Sequence, residues 1–285
     1  MRTLKKNLLR VLVVIPDKIF NTIIFFIKLR YIPRFKNPRS FNEKINYIKL
    51  YSNYKLREVV ADRIKVRDYV ESKNTDCNLV KMLWSGNEFT EKIYNELPNK
   101  FVIKANHGSG MVKIVDKSNA NFKEISSVIS PWLDYEYGLL TRQWVYKNLE
   151  RKFVIEEFLQ CEYDDLPDYK FFCFNGKVEF IQVDLDRFHG HKRNIYDKDF
   201  NQVDVQYYFE KGPEIQKPVL LNDAVKIAEK LAEDFDFIRV DLYIMDNDIY
   251  FGEMTNTPEN GFGYFKPKKF DFEIGEKLNF IKEYS

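Results

Sequence analysis

Arg239, Asp241 and Glu253 have the types and spacing that point most directly to chemistry. They lie on two β-rich runs, Ile238–Met245 and Ile249–Met254, around Asp246-Asn247-Asp248, the pattern of a hairpin. With the turn centred on Asn247, paired residue numbers sum to 494, so Asp241 faces Glu253 and Arg239 faces Thr255. Val240, Leu242 and Ile244 alternate onto the other face, where they can pack. Directly opposed side chains have Cβ atoms about 5 Å apart, and two carboxylates there repel. A cation between them removes the repulsion, and oxygen-only ligands suit Mg²⁺. The plainer alternative is a hairpin whose charges face water, and a one-residue change of register would separate the pair.

Two further segments carry candidate groups. In Lys104-Ala105-Asn106-His107-Gly108-Ser109-Gly110 a short strand presents Lys104, the loop offers backbone N–H groups, and a second strand returns with Lys113. Such a loop can fold over phosphates while lysines neutralise them. It lacks the GxxxxGK[ST] form and is followed by a strand rather than a helix. An ordinary hairpin loop fits the same residues. Phe153–Leu159 places Glu156 and Glu157 side by side in an apolar strand. Burial disfavours charge, so one of them needs a polar partner, such as a base edge and ribose hydroxyls, or simply water.

These groups need a scaffold of mixed helices and hairpins. Ser40-Phe41-Asn42-Glu43 is a capping box that opens a helix, with Ile45, Ile48 and Tyr51 along one face. Asp62 to Val70 reads as the end of a second helix. Phe101–Ala105 and Met111–Val115 read as strands flanking the glycine loop, and Tyr169–Phe174 and Lys177–Asp184 as a hairpin turning at Asn175-Gly176. A helix capped by Asn222 runs through Phe235, with Val225, Ala228, Leu231, Ala232 and Phe235 facing inward. This mixture is α+β rather than a parallel doubly wound sheet. Three segments follow: a basic helical region over 1–75, then α+β subdomains over 76–157 and 158–285.

The 285 residues are 45% apolar and 16% aromatic, enough for a sizeable core and against global disorder. The net charge of +2 divides into +12 over residues 1–70 and −10 over 71–285, so a negative partner would meet the N-terminal quarter. Leu8–Ile15 and Ile19–Ile27 are apolar but broken by Arg10, Pro16, Asp17 and Lys18, too short for a bilayer span. Two readings of residues 1–34 stand: a basic helix on an anionic leaflet, or a core helix. Cys77, Cys161 and Cys173 are sparse and make neither a disulfide framework nor a zinc site, which fits a reducing compartment. His107, His189 and His191 are too few for a histidine metal cage. The basic segment lacks a nucleic-acid motif, so no nucleic-acid partner is expected. Asp184-Leu185-Asp186 has the D-x-D form that chelates a metal and a sugar-nucleotide diphosphate, which makes a glycosyltransferase the rival expectation.

The order of these features resembles the ATP-grasp family, nearest to the TupA-like branch of surface-polysaccharide biosynthesis. Its most specific parts are Phe101–Gly110, Asp168-Tyr169-Lys170-Phe171-Phe172-Cys173-Phe174-Asn175-Gly176, and Arg239-Val240-Asp241-Leu242-Tyr243 with Phe251-Gly252-Glu253-Met254-Thr255. The likeness runs from about Asn37 to Pro267. It implies two α+β subdomains clamping ATP. Lys104 and Lys170 would meet phosphates, with the His107, Gly108, Ser109 and Gly110 loop over the nucleotide and Lys113 beside it. Glu156, Glu157, Phe158 and Leu159 would hold adenine and ribose. Asp241 and Glu253 would bind Mg²⁺, Arg239 would steady an anionic intermediate, and Arg187 or Arg193 would greet a carboxylate or phosphate. Thr255 stands where many relatives carry a ligating Asn, with Asn256 next to it. The implied activity is a cytoplasmic carboxylate–amine ligase joining a glycan or sugar-nucleotide acid to an amino acid, with a non-catalytic nucleotide-binding scaffold as a further alternative.

Overall fold

The computed structural model describes residues 14–159, 167–185, 190–245 and 247–281. Contacts divide the chain into two compact units, one of 1–54, 73–77 and 163–285, the other of 55–72 and 78–162. The helical N-terminus is therefore not a domain of its own, as the three-segment division expects. Most of it shares a core with the C-terminal half. In the first unit, α1 (Asp17–Leu29) packs Phe25 and Leu29 against Phe35 and Phe262. α2 (Phe41–Tyr51) starts at the expected capping box, where Ser40 Oγ accepts from Glu43 N at 3.1 Å and Glu43 accepts from Ser40 N at 3.1 Å.

The second unit opens with two short helices, α3 (Leu56–Ala61) and α4 (Lys65–Ser72). The expected single helix is interrupted at Asp62, whose backbone is extended and whose Oδ1 accepts from Ile64 N at 2.9 Å and Asn106 Nδ2 at 3.2 Å. After β1 (Asn78–Leu79) come β2 (Met82–Gly86), α5 (Glu91–Glu96), β3 (Lys100–Ala105), β4 (Val112–Asp116), α6 (Phe122–Leu133), α7 (Tyr137–Thr141) and β5 (Phe153–Glu157). The strands form an antiparallel sheet in the order β2-β5-β3-β4. Phe101, Ile103, Val115, Phe153 and Ile155 lie on one face and pack on Ile125 and Ile129 of α6. β5 stops at Glu157, so Phe158 and Leu159 continue outside the sheet.

The rest of the first unit comprises β6 (Asp168–Phe174), β7 (Lys177–Leu185), β8 (Lys192–Asp197), β9 (Gln202–Val203), β10 (Gln206–Tyr207), α8 (Leu221–Ala232), β11 (Phe237–Ile244), β12 (Ile249–Thr255), β13 (Phe265–Lys266) and α9 (Lys269–Lys277). Within the unit the sheet order is β12-β11-β6-β7-β8-β9, all antiparallel. Asn175 and Gly176 both have positive φ, 52° and 82°, as their two-residue turn requires. One sheet face presents Phe172, Phe174, Phe180 and Phe237 to Phe41, Ile45 and Ile48 of α2. The other receives α8, with Cys173 Sγ 3.8 Å from Ala228 O. Helices on both faces explain why β6 is buried along its whole length. α8 differs from expectation at its start: Leu220 occupies the cap position and Asn222 is exposed. Ala224 and Ile227 are buried where Val225 is only partly so.

Candidate functional site

The hairpin of β11 and β12 pairs Asp241 with Glu253 and Arg239 with Thr255, as the residue arithmetic expects. It does so through a bulge. Toward the turn the register is Leu242↔Phe251 and Ile244↔Ile249, and Gly252 is the extra residue that restores the Asp241–Glu253 pairing. A Cβ at Gly252 would stand 3.0 Å from Asp241 O, so the bulge is closed against the Asp241 backbone. Arg239 fills the space between the acids. Its Nε and Nη2 donate to the two Asp241 oxygens at 2.7 Å each, and Nη2 reaches Glu253 Oε1 at 3.1 Å and Thr255 Oγ1 at 2.9 Å.

The same face continues across β6, β7 and β8. The registers Asp241↔Lys170, Lys170↔Gln182, Asp168↔Asp184 and Asp184↔Arg193 bring these side chains into one row. Lys170 contacts Asp168 and lies 3.5 Å from Asp184 Oδ2 and 3.6 Å from Asp241 Oδ2. Arg193 is engaged at all three nitrogens: its Nε and Nη2 donate to Asp184 at 2.6 and 3.1 Å, and its Nη1 to Glu259 Oε1 at 2.8 Å. Among the described residues this face sets five carboxylates (Asp168, Asp184, Asp241, Glu253, Glu259) against three cations (Lys170, Arg193, Arg239), a formal −2.

Burial raises the Asp241 carboxyl to about 6; Arg239 and Lys170 pull it down, and Glu253 and Asp168 push it up. At Asp184 burial also works upward, but His191, Arg193 and Lys170 outweigh it and hold the group well below the carboxylate range. Gln182 is wholly buried and donates Nε2 to both Asp184 oxygens at 3.0 and 3.1 Å, which leaves its Oε1 without a partner. An orphaned acceptor, two opposed carboxylates and a −2 balance are what a divalent cation or a cationic group would complete. Among the described residues no group of three or more His, Cys, Asp or Glu side chains is arranged to hold a metal ion, and Arg239 bonds both Asp241 and Glu253.

In the second unit Lys104 and Glu156 lie diagonally on the sheet face away from the core, with Nζ 2.6 Å from Oε2. Arg67 Nη1 is 3.4 Å from the other Glu156 oxygen. Glu157 is exposed, and Lys113 pairs with Ile103, so it projects from the opposite face to Lys104. In the loop, His107 and Gly108 are buried and Ser109 and Gly110 form the exposed tip. His107 Nε2 lies 3.1 Å from Trp132 O, and its pKa is lowered by burial and by the nearby Arg151 and Arg63. Arg63 donates to Ala105 O and Gly108 O, pinning the loop base. Gly110 has φ +79° and open space around it, as a backbone approached by a ligand would.

Asp168 and Gln182 on this face, Glu259 beside it, and Arg63 and Arg67 in the second unit are residues that sequence reasoning missed. For Asp168 and Gln182 the signal was the hairpin register about Asn175-Gly176, displaced by one residue at a bulge between Phe172 and Cys173. Asp184 is committed to Arg193, Gln182 and Lys170 rather than open as half of a D-x-D chelate. Arg187, Asp186, His189, Cys161 and residues 1–13 lie outside the described residues.

A family model described as TupA-like ATPgrasp matches residues 43–279. No curated protein matches the chain. Among solved structures, D-alanine–D-alanine ligase from Bacillus anthracis is similar, with 15% identity, a TM-score of 0.46, and coverage of 83% of this chain and 71% of that one. N5-carboxyaminoimidazole synthetase from Staphylococcus aureus, complexed with ADP, has 14% identity and a TM-score of 0.45 over 78% of this chain and 52% of that one. The ATP-grasp ligase PsnB, complexed with a precursor variant, Mg and ADP, has 8% identity and a TM-score of 0.42 over 72% and 53%. The chain thus spans about half the length of the last two.

Proposed function

The chain belongs to the TupA-like ATP-grasp family, and on that premise we propose that it is an ATP-dependent carboxylate–amine ligase of cell-surface polysaccharide biosynthesis. The observation that carries this reading is the Asp241–Glu253 pair, directly opposed on a sheet face and bridged by Arg239. Asp241 and Glu253 would hold Mg²⁺, with Thr255 supporting Glu253 through the 3.1 Å bond between them. When bound, Mg²⁺–ATP would supply the γ-phosphoryl group that a carboxylate takes to become an acyl phosphate, with ADP leaving; an amine would then attack the carbonyl carbon, lose a proton and expel phosphate.

This chain's own residues bind and orient. Lys104 carries positive charge toward phosphate and is held in place by Glu156, which also serves adenine and ribose with Glu157, Phe158 and Leu159. The Ser109–Gly110 tip offers backbone N–H groups. Arg239 and Lys170 keep fixed positive charge where anionic oxygens develop, without reorganisation at the moment of reaction. Arg193 acts through Asp184 and Glu259 and positions this face. The acid substrate is a uronic acid on a glycan or sugar nucleotide, and the amine is an amino acid. Contact of the basic residues 1–34 with the cytoplasmic face of an anionic membrane belongs to the same reading. Lys104→Ala and Glu253→Ala should each abolish ADP release while circular dichroism stays that of the parent. Undiminished turnover in either variant overturns the assignment.

A further inference from the structure

α1 carries its polarity the wrong way round for a helix on a wet surface. Its packed side buries Asn21, whose amide nitrogen and oxygen are both without a partner, beside Phe25 and Leu29. Its outer side presents Ile19, Ile23, Phe26 and Ile27, exposed by 52, 47, 49 and 51%. At about 100° per residue these four occupy an arc of about 100° opposite the buried three. Val14 and Ile32, on either side of the helix in the chain, are more exposed still.

The strip is contiguous rather than scattered, so it calls for a cover. The charge around it says which. Lys18, Lys28, Arg30, Arg34, Lys36 and Arg39 are all exposed, and Asp17 is the only acid between residues 14 and 39. A second copy of the same face would bring two such clusters together and repel. A bilayer with anionic headgroups offers apolar depth and negative charge at once. α1 cannot cross it: 13 residues rise about 20 Å against about 30 Å of hydrocarbon.

We propose that α1 is an in-plane anchor for anionic phospholipid. Ile19, Ile23, Phe26 and Ile27 seat at the boundary of headgroups and acyl chains, and the flanking lysines and arginines meet lipid phosphates. This rests on the membrane contact within the proposed function and names its face and lipid class; it does not depend on the ligase chemistry.

Flotation of the full chain with vesicles tests it. Phosphatidylcholine vesicles containing phosphatidylglycerol should carry the protein up, and phosphatidylcholine alone should not. Binding should fall steeply as salt rises from about 0.1 M to about 1 M, where the screening length shrinks from about 10 Å to about 3 Å. The double variant Ile23→Glu/Phe26→Glu should lose at least about tenfold in bound fraction on insertion grounds, while its thermal unfolding and its ADP release in solution match the parent. Equal binding by the variant, or no binding to either vesicle, overturns the anchor. A concentration-dependent dimer that the variant loses would overturn it too, giving the strip to a second copy. Loss of ADP release with intact vesicle binding would instead strike the ligase reading alone.

Discussion

Arg239→Met removes the cation that stands between Asp241 and Glu253. The guanidinium makes two 2.7 Å bonds to Asp241, with both groups under a tenth exposed, so water has little room to replace it. Glu253, with a side chain 35% exposed, loses less because solvent screens it. Stripping one partner from a buried ion pair costs about 3–5 kcal/mol. Lys170 remains 3.6 Å from Asp241 and keeps part of the compensation, which places the loss near about 3 kcal/mol. At about 2–4 °C per kcal/mol the melting temperature of that unit falls about 6–12 °C. Differential scanning calorimetry reads this directly, provided the two units are resolved as separate transitions. The variant also removes the guanidinium that bridges the opposed carboxylates, so millimolar Mg²⁺ should raise its melting temperature more than the parent's. A loss under about 1 kcal/mol, or an equal Mg²⁺ response in both proteins, would refute the view that this face is short of positive charge.

Three smaller perturbations probe the elements around the site. Gly252→Ala forces a Cβ to 3.0 Å from Asp241 O; a cost of about 1–3 kcal/mol and a disproportionate loss of ADP release are expected, and parental activity would show that the bulge can move. Ser40→Ala removes the hydroxyl that caps α2 and bonds Tyr31, for about 1–2 kcal/mol in urea unfolding; an unchanged midpoint would deny the cap its role. Burial raises the Asp271 carboxyl above its ordinary value against the bonds from Asn42 and Tyr31 that lower it. Its contribution is then fully present below about pH 4 and is lost as pH rises through the folded pKa. The parent should therefore gain stability relative to Asp271→Asn as pH falls from about 7 toward about 4, and a pH-independent difference would contradict the direction of the shift.

Much of the scaffold was legible in the chain because its signals are local. The Ser40–Glu43 box, the Asn175-Gly176 turn and the alternation around Asp241 each depend on a few neighbouring residues, and each appears in the structure. What escaped was non-local. A uniform register about Asn247 is right for Asp241 and Glu253 only because Gly252 adds a residue between them and the turn. The corresponding bulge in the β6–β7 hairpin hid the row of Asp168, Lys170, Gln182 and Asp184, since alternation alone cannot count an extra residue. Arg193 read as an open cation, yet it is bonded to Asp184 on the adjacent strand and to Glu259, 66 residues on. The helix expected at Asp62 broke because the side chain found Asn106, 44 residues on.

The central claim is amide formation driven by ATP, and product stoichiometry tests it most directly. The parent protein is incubated with Mg²⁺–ATP and a panel of uronic acids paired with amino acids, and ADP, phosphate and conjugate are quantified by mass spectrometry. Equal amounts of ADP, phosphate and an amide of acid and amine, each absent when either partner is omitted, are predicted. Turnover of a UDP-sugar in place of ATP, or no ADP with any pair while ATP still binds, would contradict it.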